Sequence, residues 1–584
     1  MFTFYDFEVF KHDWLVVFEQ EGQITRIHND REALKSFLES VQFLVGFNNY
    51  YYDDIILCAL LRNKNPYEIS SQIISGKRPK LYLNKPITLD VMQEMKPGVS
   101  LKESEANFGL NIHETPVDFN IDRRLSKEEL ERTFQYCEND VLVTKKLFEK
   151  REDYFTSKFE IVQTFKLPAN AVKKTRASLS AMTLKCGKYD PPADRLYLEF
   201  DQRLPLHELP EDIVQFYKDI EQEYKSGAEV KDLESKKYET NIAGVQHVFG
   251  FGGLHGAIEN YTYEGNMMQI DVSSYYPSLM INNNFVSRAS KEPELFKKMY
   301  DERLRLKEQG DSKQGVYKII LNSTFGASKS KFNPLFDPRQ ANNICVNGQL
   351  ILTHLILLLE PFCKLIQSNT DGIVIAYKNA QKRNIIKLLQ MWEEQYELKL
   401  DVDLIKKIAQ RDVNNYAIQY EDGKVKAKGR FANFEGGTFE RNSLCIIDKA
   451  LVDYYIYHIP VQKTVVNLWK KNDLDWFQLI AKAGSTFKEI VHEHLVDTLI
   501  GDKESDFKPV QKVNRVFATN NKDLGGVYKT KVVDGTTRYN KIPWTSDHVL
   551  VWNNSLVALD KKKINLNWYI QLVKSQMFDG EDKQ

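Results

Sequence analysis

The chain has no excess of either charge: 80 Lys plus Arg balance 80 Asp plus Glu over 584 residues, so net charge does not announce a polyanionic partner. Cysteine is sparse. The six residues Cys58, Cys137, Cys186, Cys345, Cys363 and Cys445 are scattered and form no C-x-x-C pair. Neither a zinc site nor a cluster site is suggested, and a reducing cytoplasm is the simplest location. Long apolar runs are missing too. The most apolar run, Leu350 to Leu359, is about half of the roughly 20 residues a membrane helix needs, and it predicts a buried helix with no membrane partner. The first ten residues carry an acidic motif where a secretory leader would be charged and then apolar, which predicts no export signal. Internal repeats and long low-complexity linkers are also absent. What remains is 42% hydrophobic and 27% charged residues, a globular composition in a chain too long for one core.

Three short segments near the start carry acids. Phe2 to Phe10 alternates as a strand does, which puts Asp6 and Glu8 on one face, where they repel unless a cation sits between them. Gly46 to Asp53 contains Asn48 and Asn49 and ends with Asp53 opening an apolar, helix-like segment. Further on, Tyr136 and Asp140 share a helical face by their i, i+4 spacing. Four acids from three segments could hold two metal ions about 3.5–4 Å apart, an arrangement that activates water for phosphodiester hydrolysis. Between the last two segments, Ser100 to Ser104 reads by default as a solvated face carrying Lys102.

A second set lies in the middle of the chain. Gln269 to Leu279 begins as a short apolar strand and turns at Pro277 into a helix, which puts Asp271 at a strand end. Capping of the following helix is one use for Asp271; holding Mg²⁺ with a second carboxylate from a neighbouring strand is another. Asp301 to Lys307 and Gln314 to Phe325 predict a hairpin of two helices, with Arg303 and Lys307 on one face and Gln314, Lys318 and Asn322 on another. Ser368 to Ile375 places Asp371-Gly372 at the tip of a hairpin. Phe249 to Gly256 packs four glycines into eight residues, enough for close backbone approach to a phosphate or for a simple hairpin turn.

Taken in order, the segments around Asp271, Lys318 to Gly326 and Asn369 to Gly372 resemble motifs A, B and C of family B DNA polymerases. The acids near the start resemble the Exo I, Exo II and Exo III motifs of the accompanying 3′–5′ exonucleases, with either Asn48 or Asn49 able to serve as the Exo II asparagine. The resemblance implies an α+β and α/β multidomain fold: an RNase H-like exonuclease over 1–150, followed by a right-hand polymerase. Connector and palm with motif A would span 151–285, fingers 286–330, palm with motif C 331–435 and thumb 436–584. It implies Asp6, Glu8, Asp53 and Asp140 as exonuclease metal ligands, with Tyr136 orienting the attacking water and Lys102 near the single strand. It implies Asp271, the Val272 carbonyl and Asp371 as polymerase metal ligands for two Mg²⁺, Mn²⁺ being possible. Tyr276 would be the steric gate against ribonucleotides, a role for which core packing is the rival. Arg303, Lys307 and Lys318 would bind the triphosphate, a solvated helix face being the rival for the first two. Asn322 and Phe325 would lie under the nascent base pair, Gly326 would leave room for template, and Gly252 and Gly253 would touch template.

Two departures from the family pattern stand out. Asn369 replaces the first aspartate of motif C, and Asn414 and Asn415 precede Tyr416 where the family has lysines. Tyr416 would meet the primer terminus, with Lys428 supplying nearby charge. Only 46 residues lie between Asp271 and Lys318, so the long insertion of protein-primed relatives is missing and a nucleic-acid primer is expected. The remainder predicts helix-like stretches, as at Leu474 to Leu499, and a basic surface from Lys503 to Lys541 that includes Arg515 and would track duplex phosphates. The expectation is a monomeric, compact polymerase similar to bacteriophage enzymes, acting in the host cytoplasm on primer–template DNA and dNTPs, alone or with other replication proteins. A 3′–5′ exonuclease whose polymerase half only holds DNA is the alternative, favoured by Asn369, and a catalytically silent scaffold is the binding-class rival.

Overall fold

Alternation in Phe2–Val9 sends Tyr5, Phe7 and Val9 into an apolar core and leaves Asp6 and Glu8 on the opposite face. In the computed structural model, which describes residues 1–112, 114, 117–441, 443–497 and 503–578, this segment is strand β1. The chain divides into two compact units. The first comprises residues 1–156, 433–453 and 459–576; the second comprises 157–432, 454–458 and the described residues from 577 on.

In the first unit, β1 pairs antiparallel with β2 (Trp14–Gln20), which pairs with β3 (Gln23–His28). On its other side β1 runs parallel to β4 (Phe43–Gly46), and β4 to β5 (Ile87–Asp90), so β1 is central in the order β3-β2-β1-β4-β5. Three helices bring side chains to the polar face or edge of this sheet: α1 (Asp53–Leu61), α2 (Leu101–Asn107) and α3 (Lys127–Lys150). A capping box between Ser126 and Glu129 starts α3, which packs along β1 and β2.

The second unit is built on a nine-stranded sheet. Its strands are β6 (Tyr238–Ile242), β7 (Val245–Phe249), β8 (His255–Ala257), β9 (Tyr261–Val272), β10 (Cys363–Asn369), β11 (Gly372–Tyr377), β12 (Leu400–Asp412), β13 (Asn415–Tyr420) and β14 (Val425–Lys428). They lie in the order β14-β13-β12-β9-β11-β10-β8-β7-β6. Helices α4 (Tyr275–Asn282), α5 (Glu294–Glu308), α6 (Gln314–Ser328) and α7 (Pro338–Leu359) fall between β9 and β10 in the chain. The apolar run expected to be buried is the second half of α7. Pro338–Phe362 is long and apolar enough to cross a membrane by length and composition, but most of it is enclosed in the core of this unit. Helix α4 begins at Tyr275, earlier than the turn expected at Pro277, because Pro277 falls in the first turn where its missing N–H forfeits no helical bond. The sharp turn is made by Ser274 at a left-handed φ of 52°, so Asp271 does not cap the helix.

The C-terminal part of the first unit is mainly β. One sheet has the order β15 (Leu479–Lys482), β18 (Val513–Ala518), β21 (Val549–Val551); the other has β17 (Lys503–Val510), β16 (Glu489–Asp497), β19 (Leu524–Val533), β20 (Thr536–Lys541). The helix-like reading of Leu474 to Leu499 is therefore corrected over its described residues; positions 498 and 499 lie outside them. Only a short turn of helix forms, at Leu474–Phe477. The rest carries β-branched residues such as Ile490 and Val491, which pair across strands with Lys529 and Tyr528.

Arg515 is likewise not part of a basic surface. It is fully buried, donating from Nε to Gln478 Oε1 (2.8 Å), from Nη1 to the Asn554 carbonyl (2.7 Å) and from Nη2 to the Ala106 and Leu110 carbonyls (2.9 Å each). Ala106 lies in the last turn of α2, where a cation satisfies carbonyls the helix leaves open. Lys482 adds to the same junction by donating to Glu103 Oε2 at 2.5 Å. Arg515→Ala strands these acceptors, and at about 1–3 kcal/mol for a buried acceptor left unpaired a loss of at least that size is expected in chemical denaturation of the first unit. A loss under about 0.5 kcal/mol, the size of an ordinary surface substitution, would refute that role.

Candidate active sites

In the first unit, β1 supplies Asp6 and Glu8, the start of α1 supplies Asp53 and the middle of α3 supplies Tyr136 and Asp140. Asp53 Oδ1 accepts from the Phe7 amide at 3.2 Å, which ties α1 to β1 between the two strand acids. Burial, and then the charge of Asp140, pushes the Asp6 carboxyl up to about 7. Glu8 and Asp53 are also raised well above the usual range by burial and then by Asp6, and burial raises Asp140. Such a cluster of dry like charges is a strong attractor for cations. One cation is provided by the chain. Lys102 Nζ lies 2.5 Å from Asp140 Oδ1, 3.4 Å from Glu105 Oε2 and 4.3 Å from the centre of the Tyr136 ring. The solvated-face reading of this segment is corrected: Lys102 is held inward by Asp140 and Glu105.

The two asparagines separate. Asn49 is buried and donates to Asp54 Oδ1 at 2.9 Å, in a knot that Tyr5 and Thr88 complete from 2.5 and 2.6 Å. Asn48 is half-buried at a left-handed φ of 59°, its amide donating to Asp90 Oδ1 at 2.8 Å.

In the second unit, strand register assembles the site. Asp271 on β9 lies opposite Asp401 on β12 and opposite Gly372 on β11. Asp371 sits in the two-residue turn between β10 and β11, its carbonyl accepting from the Val272 amide at 2.6 Å. The tip is thus Thr370-Asp371, and Gly372 is already strand. A Cβ at Gly372 would lie 2.0 Å from Asp271 Oδ1, so glycine is what leaves the carboxylate its place. Burial, and then the nearby Asp371 charge, raises the Asp271 carboxyl to about 6, against the opposing pull of Lys426. Tyr420 donates to Gln269 (2.7 Å) and Gln269 to Asp271 Oδ2 (2.5 Å), which fixes the orientation of that carboxylate.

One cleft of about 500 Å³ is lined by Asp271, Val272, Asp371 and Asp401 on one side and by Arg303, Lys307, Gln314, Lys318 and Asn322 from α5 and α6 on the other. Tyr276 and Phe325 also line it, with ring centres 4.3 Å apart. Lys307, Lys318 and Asn322 are exposed into this space, whereas Arg303 is buried and donates to Ser274 Oγ. Gly326 is exposed with no atom near its Cβ position. Five expected residues, Gly252, Gly253, Gly326, Tyr416 and Lys428, do not line the cleft. Gly252 and Gly253 form the β7–β8 connection, where a Cβ on Gly253 would meet Thr370 Oγ1 at 2.3 Å. Tyr416 is buried at 3% exposure in a small core with Ile405 and Ile418, and it pairs across strands with Lys428.

Sequence reading missed two residues here. Asp401 was signalled by the D-x-D alternation of Asp401 and Asp403, the same cue that marks Asp6 and Glu8. His255 carried no signal. Its Nε2 lies 3.3 Å from Thr370 Oγ1, against the turn in which Asn369 Oδ1 accepts from the Thr370 amide at 3.1 Å.

The raised acid of the first unit sets a pH dependence. Asp6 ionises near pH 4 when unfolded and near 7 when folded, so its destabilising contribution is absent at pH 3, grows between these values and is complete above 7. In chelator at pH 8, Asp6→Asn is expected to stabilise the protein by up to about 4 kcal/mol, an advantage that vanishes by pH 3. Equal wild-type and variant stability at both pH values would contradict this.

No family model matches the chain. A stretch of 125 residues is 29% identical to DNA polymerase 1 of Sulfolobus acidocaldarius, covering 21% of this chain and 14% of the relative's length. Among solved structures, a family B DNA polymerase from the hyperthermophilic archaeon Pyrobaculum calidifontis aligns over 100% of this chain and 78% of its own, with 12% identity and a TM-score of 0.44.

Proposed function

We propose that the protein is a DNA-templated DNA polymerase that extends a primer 3′ end with dNTPs, and that its first unit carries a proofreading 3′–5′ exonuclease. The observation that carries the reading is the cleft of the second unit, where three carboxylates face three cationic side chains across a space of about 500 Å³. A nucleoside triphosphate has the matching polarity, its phosphates needing both cations and a carboxylate-held metal.

The donor sets fit hard divalent ions, since both offer oxygen donors, with burial opposing the charge of Asp6 in one and of Asp271 in the other. Asp271, Asp371 and the Val272 carbonyl would hold Mg²⁺ or Mn²⁺ in the second unit, and Asp6, Glu8, Asp53 and Asp140 would hold it in the first. Bound there, the ions would supply Lewis acidity, activating the primer 3′-hydroxyl or a water and neutralising the leaving oxygen. Lys318, Lys307 and Arg303 bind the triphosphate, Arg303 being pre-oriented by Ser274. Tyr276, held against Phe325, supports the sugar and leaves no room for a 2′-hydroxyl. Asn322 and Phe325 lie beneath the new base pair. In the first unit Lys102 offsets carboxylate repulsion beside Asp140, and Tyr136 orients the attacking water.

A nuclease whose polymerase half only holds DNA is the second reading, motivated by Asn369 in place of an acid. The deciding experiment is primer extension on a recessed template by an Asp6→Ala/Glu8→Ala chain with Mg²⁺ or Mn²⁺. Extension that disappears in Asp271→Asn and Asp371→Asn is expected. No extension with either ion, while the unmutated chain still shortens single strands, establishes the second reading instead. In the same assay Gly372→Ala should slow extension by about 10²-fold or more, because displacing a reacting group by an ångström has effects of that size. Tyr276→Ala should incorporate ribonucleotides more readily; unchanged discrimination would remove the gate from Tyr276.

A further inference from the structure

The four acids of the first unit are not the whole donor set at its centre. Cys137 follows Tyr136 on α3 and is fully buried, and its Sγ lies with one oxygen each of Asp6 and Glu8 so that all three atoms are within 4.8 Å of one another. The Sγ is 3.3 Å from the Asp6 carbonyl and 3.6 Å from Asp6 Oδ2. Zn²⁺ binds sulfur at about 2.3 Å and carboxylate oxygen at about 2.0 Å, so a tetrahedral ion separates two such donors by about 3.5 Å. The Cys137–Asp6 pair already stands at that spacing. Glu8, the third donor of the set, is only 7% exposed.

We propose that Asp6, Glu8 and Cys137 form a site for a thiophilic divalent cation, Zn²⁺ above all, whose binding silences the nuclease. The proposal rests on the nuclease reading for its consequence but not for its chemistry. Mg²⁺ prefers six oxygen ligands and leaves a thiol idle, whereas Zn²⁺ gains a sulfur ligand and holds the two strand acids in a tetrahedral set. One proton leaves Cys137 for solvent as the thiolate forms. The ion reaches the thiol from the half-buried Asp6 side. Asp6 and Glu8 are then committed to an ion whose geometry differs from the one the hydrolytic centre requires.

Cd²⁺ alone is the probe, because its bond to thiolate absorbs in the ultraviolet and is read without any activity. Metal-free full-length protein should take up one equivalent with a thiolate charge-transfer band. Cys137→Ser and Cys137→Ala should lose that band, and Asp6→Asn, which leaves the thiol in place, should weaken Cd²⁺ binding about tenfold or more. Circular dichroism verifies that each variant is folded. In Mg²⁺, Zn²⁺ should inhibit degradation of single strands by the wild type at concentrations about tenfold below those needed for Cys137→Ser. A wild type with no band, or a band that persists in Cys137→Ser, overturns the proposal. A band with the expected losses in a chain that never degrades DNA sustains the metal site while removing the nuclease reading.

Discussion

Like charges held close together are the constraint that shapes both units. In the first, Asp6 and Glu8 share one face of a central strand, and Asp53 and Asp140 are brought beside them by helices. In the second, Asp271, Asp371 and Asp401 sit on adjoining strands or at their turn. Neighbouring carboxylates raise the cost of ionising Asp6, Glu8 and Asp53 in the first unit and Asp271 in the second. The fold therefore has to force the groups together with packing that is stiffer than their repulsion. A central strand buried on its other face by Tyr5, Phe7 and Val9 does so in one unit, and a nine-stranded sheet backed by α7 does so in the other.

The supports differ in kind. Around Asp271 they are steric and directional: Gly372 leaves a space that any side chain would fill, and the Tyr420–Gln269 pair aims the carboxylate into it. Around Asp140 the support is electrostatic, from Lys102 on the short helix α2. That helix is too short to be stable alone. Its last turn is held by Arg515 and its first by Lys482, both from strands near the other end of the chain. The position of Lys102 is thus fixed through a helix terminus and a buried guanidinium.

Much of this was legible in the sequence where a periodic pattern and a chemical type coincide. Alternation placed Asp6 and Glu8, and i, i+4 spacing placed Lys318 with Asn322 and Arg303 with Lys307, all four of which reach one cleft. The failures have particular causes. Lys102, flanked by Glu103 and Glu105, looks like a solvated face, because short-range charge patterns do not reveal a partner 38 residues away. Arg515 looks like one more base in a basic strand, since burial of a guanidinium depends on carbonyls contributed by α2. Leu474 to Leu499 mixes apolar and charged residues at spacings that suit either period, and cross-strand partners decide between them. Asp401 was missed although its alternation with Asp403 was visible, for want of a neighbour in sequence to give it meaning.

The junction at Arg515 also has a history in time. Ala106 and Arg515 are separated by 409 positions, and the intervening chain includes most of the second unit. Closing so long a loop adds little to the equilibrium cost, which grows only with the logarithm of its length. The delay is another matter. At about 5–20 residues per second, a ribosome needs roughly 20–80 s to deliver Arg515 after Ala106 has emerged. Through that interval the carbonyls at the end of α2 depend on water, and the nascent N-terminal sheet stands without its C-terminal complement. Residues 157–432 of the second unit are made within that interval, so a segment made early waits for its partner until most of the other unit has been synthesised.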